Sequence, residues 1–224
     1  MSSAIKVLGL TLSLCIPPTL QAGSGPVSAQ KQTLLGLYLS AEQAYAFVSR
    51  RPERVLFLDI RSPEEVNFLG MPSVADANIP FEMLSPYREW DETRHRFKMQ
   101  ANPHFVTDVA RALSHKGLDQ GSPIILLCRS GHRSARAANL LAILGYNQVY
   151  TVVDGYEGDK ARSGLHKAER LVTGWKNAGL PWSERLERAK MYRVGVQISA
   201  PIAQPGPAID SQALDVLAGI TTER

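Results

Sequence analysis

Cysteine is scarce in this chain: two residues of 224, Cys15 and Cys128, stand far apart. That excludes a disulfide framework, and with no paired-cysteine spacing and five histidines scattered singly it argues against a zinc site. No run of Lys and Arg is interleaved with aromatics, and the net charge of +4 is spread along the sequence, so a nucleic-acid surface is a poor fit. A mild positive balance suits small anionic substrates instead. Also lacking is an apolar stretch of the roughly 20 residues that a membrane-spanning helix needs.

The nearest approach to one lies at the start. "MSSAIK" precedes the apolar "VLGLTLSLCIPPTL", 14 residues broken by Pro17-Pro18, and "LQA" then ends in a small residue. Residues 1–22 read as a cleaved signal peptide, which places the mature protein outside the cytosol, in a bacterial periplasm. Cys15 is a weak lipoprotein candidate, because Leu14 stands where a small residue is expected. Cleavage removes Lys6 and Cys15 and leaves Cys128 as a lone thiol in an oxidising compartment. Such a thiol calls for a reason.

Residues 23–35 are small and polar and read as a linker. "SAEQAYAFVSR" opens with a capping box, Ser40 and Gln43, and reads as a helix. "RVLFLDI" is a strand by its apolar, β-branched content. "SPEEVNFLG" has Ser62 as cap, Pro63 at the first helical position, Glu65 three residues after the cap and Gly70 at its end. A short strand over "ADANIPF", a long charged loop over 82–103 and a helix over "HFVTDVARALSHKG" follow. Then come a strand at 123–128, a helix at 133–145 and a strand over "QVYTVV". Strands alternating with helices predict an α/β fold with a mainly parallel sheet covered on both faces. "SGLHKAERLVTGWKNAGLPW" reads as one more helix, and the tail from 184 to 224, rich in Pro, Ala and Gln, as largely irregular.

In parallel α/β sheets ligands bind beyond the carboxyl ends of the strands, and Cys128 stands at such an end in "PIILLCRSGHRS". The helix that follows starts within the loop, so its dipole and a run of backbone N–H groups favour an anion there. Gly131 permits backbone angles closed to other residues. Arg129 and Arg133 add positive charge, and together these features favour the thiolate, the reactive form of cysteine. Cys128 is therefore the candidate nucleophile. Arg129, Ser130, Gly131, His132, Arg133 and Ser134 form the candidate cradle for a bound anion, with the two arginines meeting its charge. A substrate must reach the sulfur, so some solvent exposure is expected.

"CRSGHRS" resembles the active-site loop of rhodanese-family sulfurtransferases. "LFLDIRSPEEVNFLG" followed by "ANIPF" resembles their N-terminal signature, and "VVDGYEG" with "GWKNAGLPW" their C-terminal stretch, split here by "DKARSGLHKAERLVT". The resemblance runs from about residue 36 to 183, the expected domain. It implies a rhodanese-like fold with a five-stranded, mainly parallel sheet, and a cysteine that carries sulfur as a persulfide with no metal or other cofactor. It matches Cys128 to the nucleophile and residues 129–133 to the loop around the bound sulfur. Asp59 and Arg61 match a "D-x-R" pair read as scaffold support, and Glu65 a capping carboxylate. Met71 stands where many members have histidine.

The implied reaction moves sulfane sulfur from an anionic donor such as thiosulfate to a thiol or cyanide acceptor. Related phosphatases and arsenate reductases place arginine six positions after the cysteine; here Arg133 is fifth and Ser134 sixth, so phosphatase chemistry is the lesser reading. Two readings from other classes stand beside the enzyme. One is a non-catalytic module that docks a protein partner in the envelope, and the other a redox sensor whose thiol cycles through sulfenic acid. His132 is a secondary candidate for proton transfer. Arg88, Trp90, Arg94 and Arg96 of the long loop could approach the cradle, although a charge run is more often a solvated face.

Overall fold

The computed structural model describes residues 27–193. Its strands are β1 (Tyr38–Leu39), β2 (Leu56–Asp59), β3 (Met71–Pro72), β4 (Ala77–Asn78), β5 (Glu82–Leu84), β6 (Trp90–Asp91), β7 (Arg96–Phe97), β8 (Met99–Ala101), β9 (Ile124–Leu127), β10 (Val149–Val152) and β11 (Trp182–Ser183). Four α-helices are interleaved: α1 (Ala41–Arg50), α2 (Pro63–Leu69), α3 (Phe105–His115) and α4 (His132–Ile143). Five strands form one sheet in the order β1-β10-β9-β2-β4, with every pairing parallel.

Both expected capping boxes form. Ser40 Oγ accepts from Gln43 N at 3.2 Å while Ser40 N donates to Gln43 Oε1 at 2.8 Å. Ser62 Oγ accepts from Glu65 N at 3.3 Å, and Ser62 N donates to Glu65 Oε2 at 3.0 Å. Each cap satisfies donors that a helix start leaves unpaired, a contribution of about 1 kcal/mol.

Strand periodicity divides the core between the two faces of the sheet. Leu56 and Leu58 of β2 and Ile124 and Leu126 of β9 pack with Phe105 and Val109 of α3 and with Leu140 and Leu141 of α4. Phe57, Ile125 and Leu127 point the other way, onto Ala44 and Val48 of α1 and Val66 of α2. Cys128 continues the alternation of Ile124 and Leu126 and so faces α4.

Three readings of the sequence need revision. Residues 163–179 form no helix: Trp175 leaves the surface to pack against Phe57, and its indole Nε1 donates to Pro181 O at 2.9 Å. Chain turns at Gly164, Gly174 and Gly179, all at positive φ, replace a continuous helical ladder. Nor is the loop over 82–103 without structure, since β5 pairs with β8 and β6 with β7, both antiparallel. Asp91 closes the turn of the β6–β7 hairpin by accepting the backbone N–H groups of Thr93 and Arg94, and Trp90 meets Phe97 edge to face at 5.4 Å. The described part of the linker, 27–35, is docked on the domain: Leu34 N donates to Asn139 Oδ1 of α4, and the buried Lys31 donates to Val153 O.

Of the tail, residues 184–193 pack on the domain, with Leu186 and Met191 against the α1–α2 side of the core and Tyr192 Oη donating to Asn102. The reading of residues 1–22 as a signal peptide and that of the tail beyond 193 fall outside the described residues. Among the described residues no helix is long and apolar enough to cross a membrane.

Candidate active site

β9 ends at Leu127 and α4 begins at His132, so the connecting loop is short enough to fold around its first side chain. The Cys128 sulfur lies inside this turn. It accepts the backbone N–H of Gly131 at 3.2 Å and that of Ser134 at 3.4 Å. Ser134 Oγ, which donates to Gly131 O at 3.0 Å, is 3.5 Å from the sulfur and accepts from its thiol. Two convergent N–H groups at a helix start make a nest for a negatively charged sulfur.

Gly131 makes that curvature possible. Its φ is +88°, and a Cβ there would lie 2.2 Å from Val153 O. The chain after β10 thus presses against the loop, and its backbone locks it: Tyr156 N donates to Cys128 O at 2.8 Å and Glu157 N to Arg129 O at 3.0 Å. Tyr156 is positioned in turn by the Asp59–Arg61 pair. Arg61 Nη2 reaches Asp59 Oδ2 at 2.6 Å and Gly70 O at 2.7 Å, its guanidinium lies 3.7 Å from the Tyr156 ring centroid, and both charged residues are fully buried. The pair holds the scaffold behind the loop and does not face a substrate.

Two expectations about the cradle change. Cys128 keeps only 1% of its surface, because the loop that supplies its hydrogen bonds also encloses it. And both loop arginines are occupied by carboxylates. Arg133 grips Glu65 with two hydrogen bonds of 2.6 Å each, and Arg129 Nε donates to Glu157 Oε2 at 2.6 Å. Glu65 therefore has two tasks, since it also closes the α2 capping box. Burial alone would push the Glu65 carboxyl up, but the hydrogen bonds and charge of Arg133 outweigh it and hold the carboxyl below its ordinary value.

The other loop residues are brought together as expected. Ser130 is buried, with its Oγ 3.3 Å from His132 Nδ1. Burial, reinforced by the positive charge of Lys31, lowers the His132 pKa from its ordinary 6.5 against the pull of Asp159, so the imidazole is neutral at pH 7. Arg88, Trp90, Arg94 and Arg96 stay exposed on their hairpins, where Arg94 pairs with Asp91. That region touches α4 instead through Glu82, which accepts from Arg136 Nη2 at 2.6 Å.

A parallel five-stranded sheet, a cysteine at the end of its central strand and an N–H nest around the sulfur describe a family. Residues 40–162, more than half of the chain, match the family model of the rhodanese-like domain. The chain belongs to that family. This rhodanese-like domain is 30% identical over 125 residues to an uncharacterized protein of Rickettsia prowazekii, across 56% of this chain and 80% of that one. It is 33% identical over 109 residues to thiosulfate sulfurtransferase 16, chloroplastic, of Arabidopsis thaliana, across 49% of this chain and 76% of the other. Among solved structures, a crystal structure of a protein from M. tuberculosis aligns with a TM-score of 0.49 at 25% identity, across 66% of this chain and 96% of that one.

Two residues of the site carry no motif that singles them out in sequence. Lys31 comes from the segment read as a linker and bridges Val153 O and Asp159 Oδ2, at 2.9 and 2.6 Å. Arg170 comes from the inserted stretch that splits the C-terminal signature, and its Nη1 donates to Gly158 O, next to the Glu157 that holds Arg129.

Proposed function

We propose that this rhodanese-like domain is a sulfurtransferase that carries sulfane sulfur as a Cys128 persulfide, loaded by an anionic donor such as thiosulfate. The observation that carries this reading is the nest of Gly131 N and Ser134 N on the Cys128 sulfur. Those donors stabilise the attacking thiolate, and after transfer the same loop is suited to the terminal sulfur of a persulfide, which also bears a negative charge.

The thiolate attacks the outer sulfur of thiosulfate. A sulfur–sulfur bond to Cys128 forms as the bond within the donor breaks, and sulfite leaves with the electron pair. The products are a persulfide anion and a sulfite dianion, so the three negative charges of the reactants are conserved. An acceptor thiolate or cyanide then attacks the terminal sulfur, becomes a persulfide or thiocyanate, and returns the Cys128 thiolate. No metal or cofactor takes part. The relative from Arabidopsis bears the name of a thiosulfate sulfurtransferase, which supports the choice of donor. The placement of Arg133 supports transfer over phosphatase chemistry: it is the fifth residue after the cysteine and is held by Glu65.

The test is intact-mass measurement after incubation with thiosulfate. Wild type should gain one sulfur atom, located on Cys128 by peptide mapping and lost again on addition of cyanide. Cys128→Ser should gain none and should show no thiocyanate formation while keeping its circular dichroism spectrum. Wild type that stays unmodified at millimolar thiosulfate, or a serine variant that turns over, would defeat the proposal.

A further inference from the structure

The loop around Cys128 is ringed by five cations, and four of them are already matched. Lys31 pairs with Asp159, Arg129 with Glu157, Arg133 with Glu65 and Arg136 with Glu82, each at 2.6 Å. The fifth is Arg170. Its Nη1 donates to Gly158 O, and among the described residues it forms no ion pair. Glu157 and Asp159 are within electrostatic range of it but are engaged by Arg129 and Lys31.

Arg170 is also placed deliberately by its segment. Residues 162–169 and 171–173 are exposed, and Arg170 alone among them is partly buried. The insertion closes at its base where Gly158 and Gly174 cross in contact: a Cβ on Gly158 would lie 2.0 Å from Thr173 O. Within the insertion Ala161 N donates to Glu169 O and Ala168 N to Ala161 O, both at 2.8 Å. Asn177 Nδ2 bonds the Arg170 carbonyl at 3.1 Å and the Thr173 carbonyl at 2.7 Å. The guanidinium is thus held by a fixed backbone at Gly158 O, the residue after Glu157, whose N–H donates to Arg129 O of the cysteine loop and whose carboxylate holds the Arg129 side chain. Burial and the like charge of Arg129 both disfavour it as a cation there, a cost that an anionic ligand would relieve.

We propose that Arg170, delivered by the inserted segment, binds the anionic end of the sulfur donor and sets the preference of this site for dianionic donors. The proposal rests on the sulfurtransferase reading for the identity of the ligand. Arg170, and not Arg129 or Arg133, then supplies the charge that meets the dianion, since the other two are neutralised in place.

The experiment compares alkylation of Cys128 by anionic iodoacetate and by neutral iodoacetamide in the full chain, following the Cys128 peptide by mass. The ratio of the two rates reports the cation next to the sulfur whatever the natural reaction is. Arg170→Gln should lower that ratio about fivefold to tenfold at low salt, Arg170→Lys should retain most of it, and added salt should shrink the difference. With thiosulfate, Arg170→Gln should raise KM about tenfold. An alkylation ratio unchanged in Arg170→Gln overturns the proposal, as does a loss confined to kcat. If wild type forms no persulfide, the sulfurtransferase reading fails while the alkylation ratio still tests Arg170 as an anion-binding group.

Discussion

Arg133 and Glu65 meet in a bidentate ion pair across 68 residues of sequence, joining the first turn of α4 to the first turn of α2. Both side chains are largely shielded from water, with 14% and 23% of their surfaces exposed. The pair holds the outer wall of the cysteine loop, and it removes Arg133 from the set of cations free to meet a substrate.

Breaking that pair from one side leaves a charge without its partner. Glu65→Gln should destabilise the fold by about 3 kcal/mol at neutral pH, read from urea unfolding. The carboxyl is held below its ordinary 4.5, so the stabilisation is complete above that pH and disappears as pH falls through the depressed value. The difference between wild type and variant should therefore shrink in acid. Glutamine can still close the capping box, as Gln43 does at Ser40, so a gap of the same size in strong acid and at pH 7 would mean that the charge pair contributes nothing.

Gly131 offers a test of the nest itself. Gly131→Ala places a methyl group against Val153 O at a backbone angle that side chains resist. A loss of about 2–4 kcal/mol is expected, together with a fall in persulfide yield, because the Gly131 N–H leaves the sulfur. Wild-type stability in this variant would show that the contact between the loop and the segment after β10 relaxes freely.

Asp154 lies two residues beyond the end of β10 and accepts the backbone N–H of Gly174 at 3.2 Å. Burial, aided by the negative charge of Glu42, pushes its carboxyl up from 3.8 to about 6. The folded protein thus binds this proton more tightly than the unfolded chain does. The resulting stability is complete below pH 3.8 and is lost as pH rises through about 6. Asp154→Asn should remove this slope and gain on the order of 1–2 kcal/mol relative to wild type at pH 8, after allowance for partial solvent access. Unfolding midpoints at pH 5 and pH 8 decide it: a variant that loses ground at the higher pH contradicts the assignment.

Export is read from residues 1–22 alone. The mature chain should begin near Gly23 in an envelope fraction, which N-terminal sequencing checks. Recovery of the intact 224-residue chain from the cytosol would exclude it.

What the sequence determined by itself is local. The capping boxes at Ser40 and Ser62 are complete within three residues, and the apolar run before it places Cys128 at the carboxyl end of a strand. Gly131 in a strand–loop–helix context identifies the turn around the sulfur before any distance is known. Tertiary structure decided which charges oppose which. Glu65 reaches Arg133 because β2 lies beside β9, and Glu157 reaches Arg129 because the chain leaving β10 returns over the loop. Neither pairing follows from spacing in sequence. The helix expected after residue 162 failed for a related reason: burial of Trp175 and the crossing of Gly158 with Gly174 outweigh local helical preference. Arg170 reads in sequence as one more cation of an exposed stretch. Only the closure of that stretch on the domain brings it to Gly158 O beside the cysteine loop, because long-range packing, and not the residues around it, sets where a charged side chain is held.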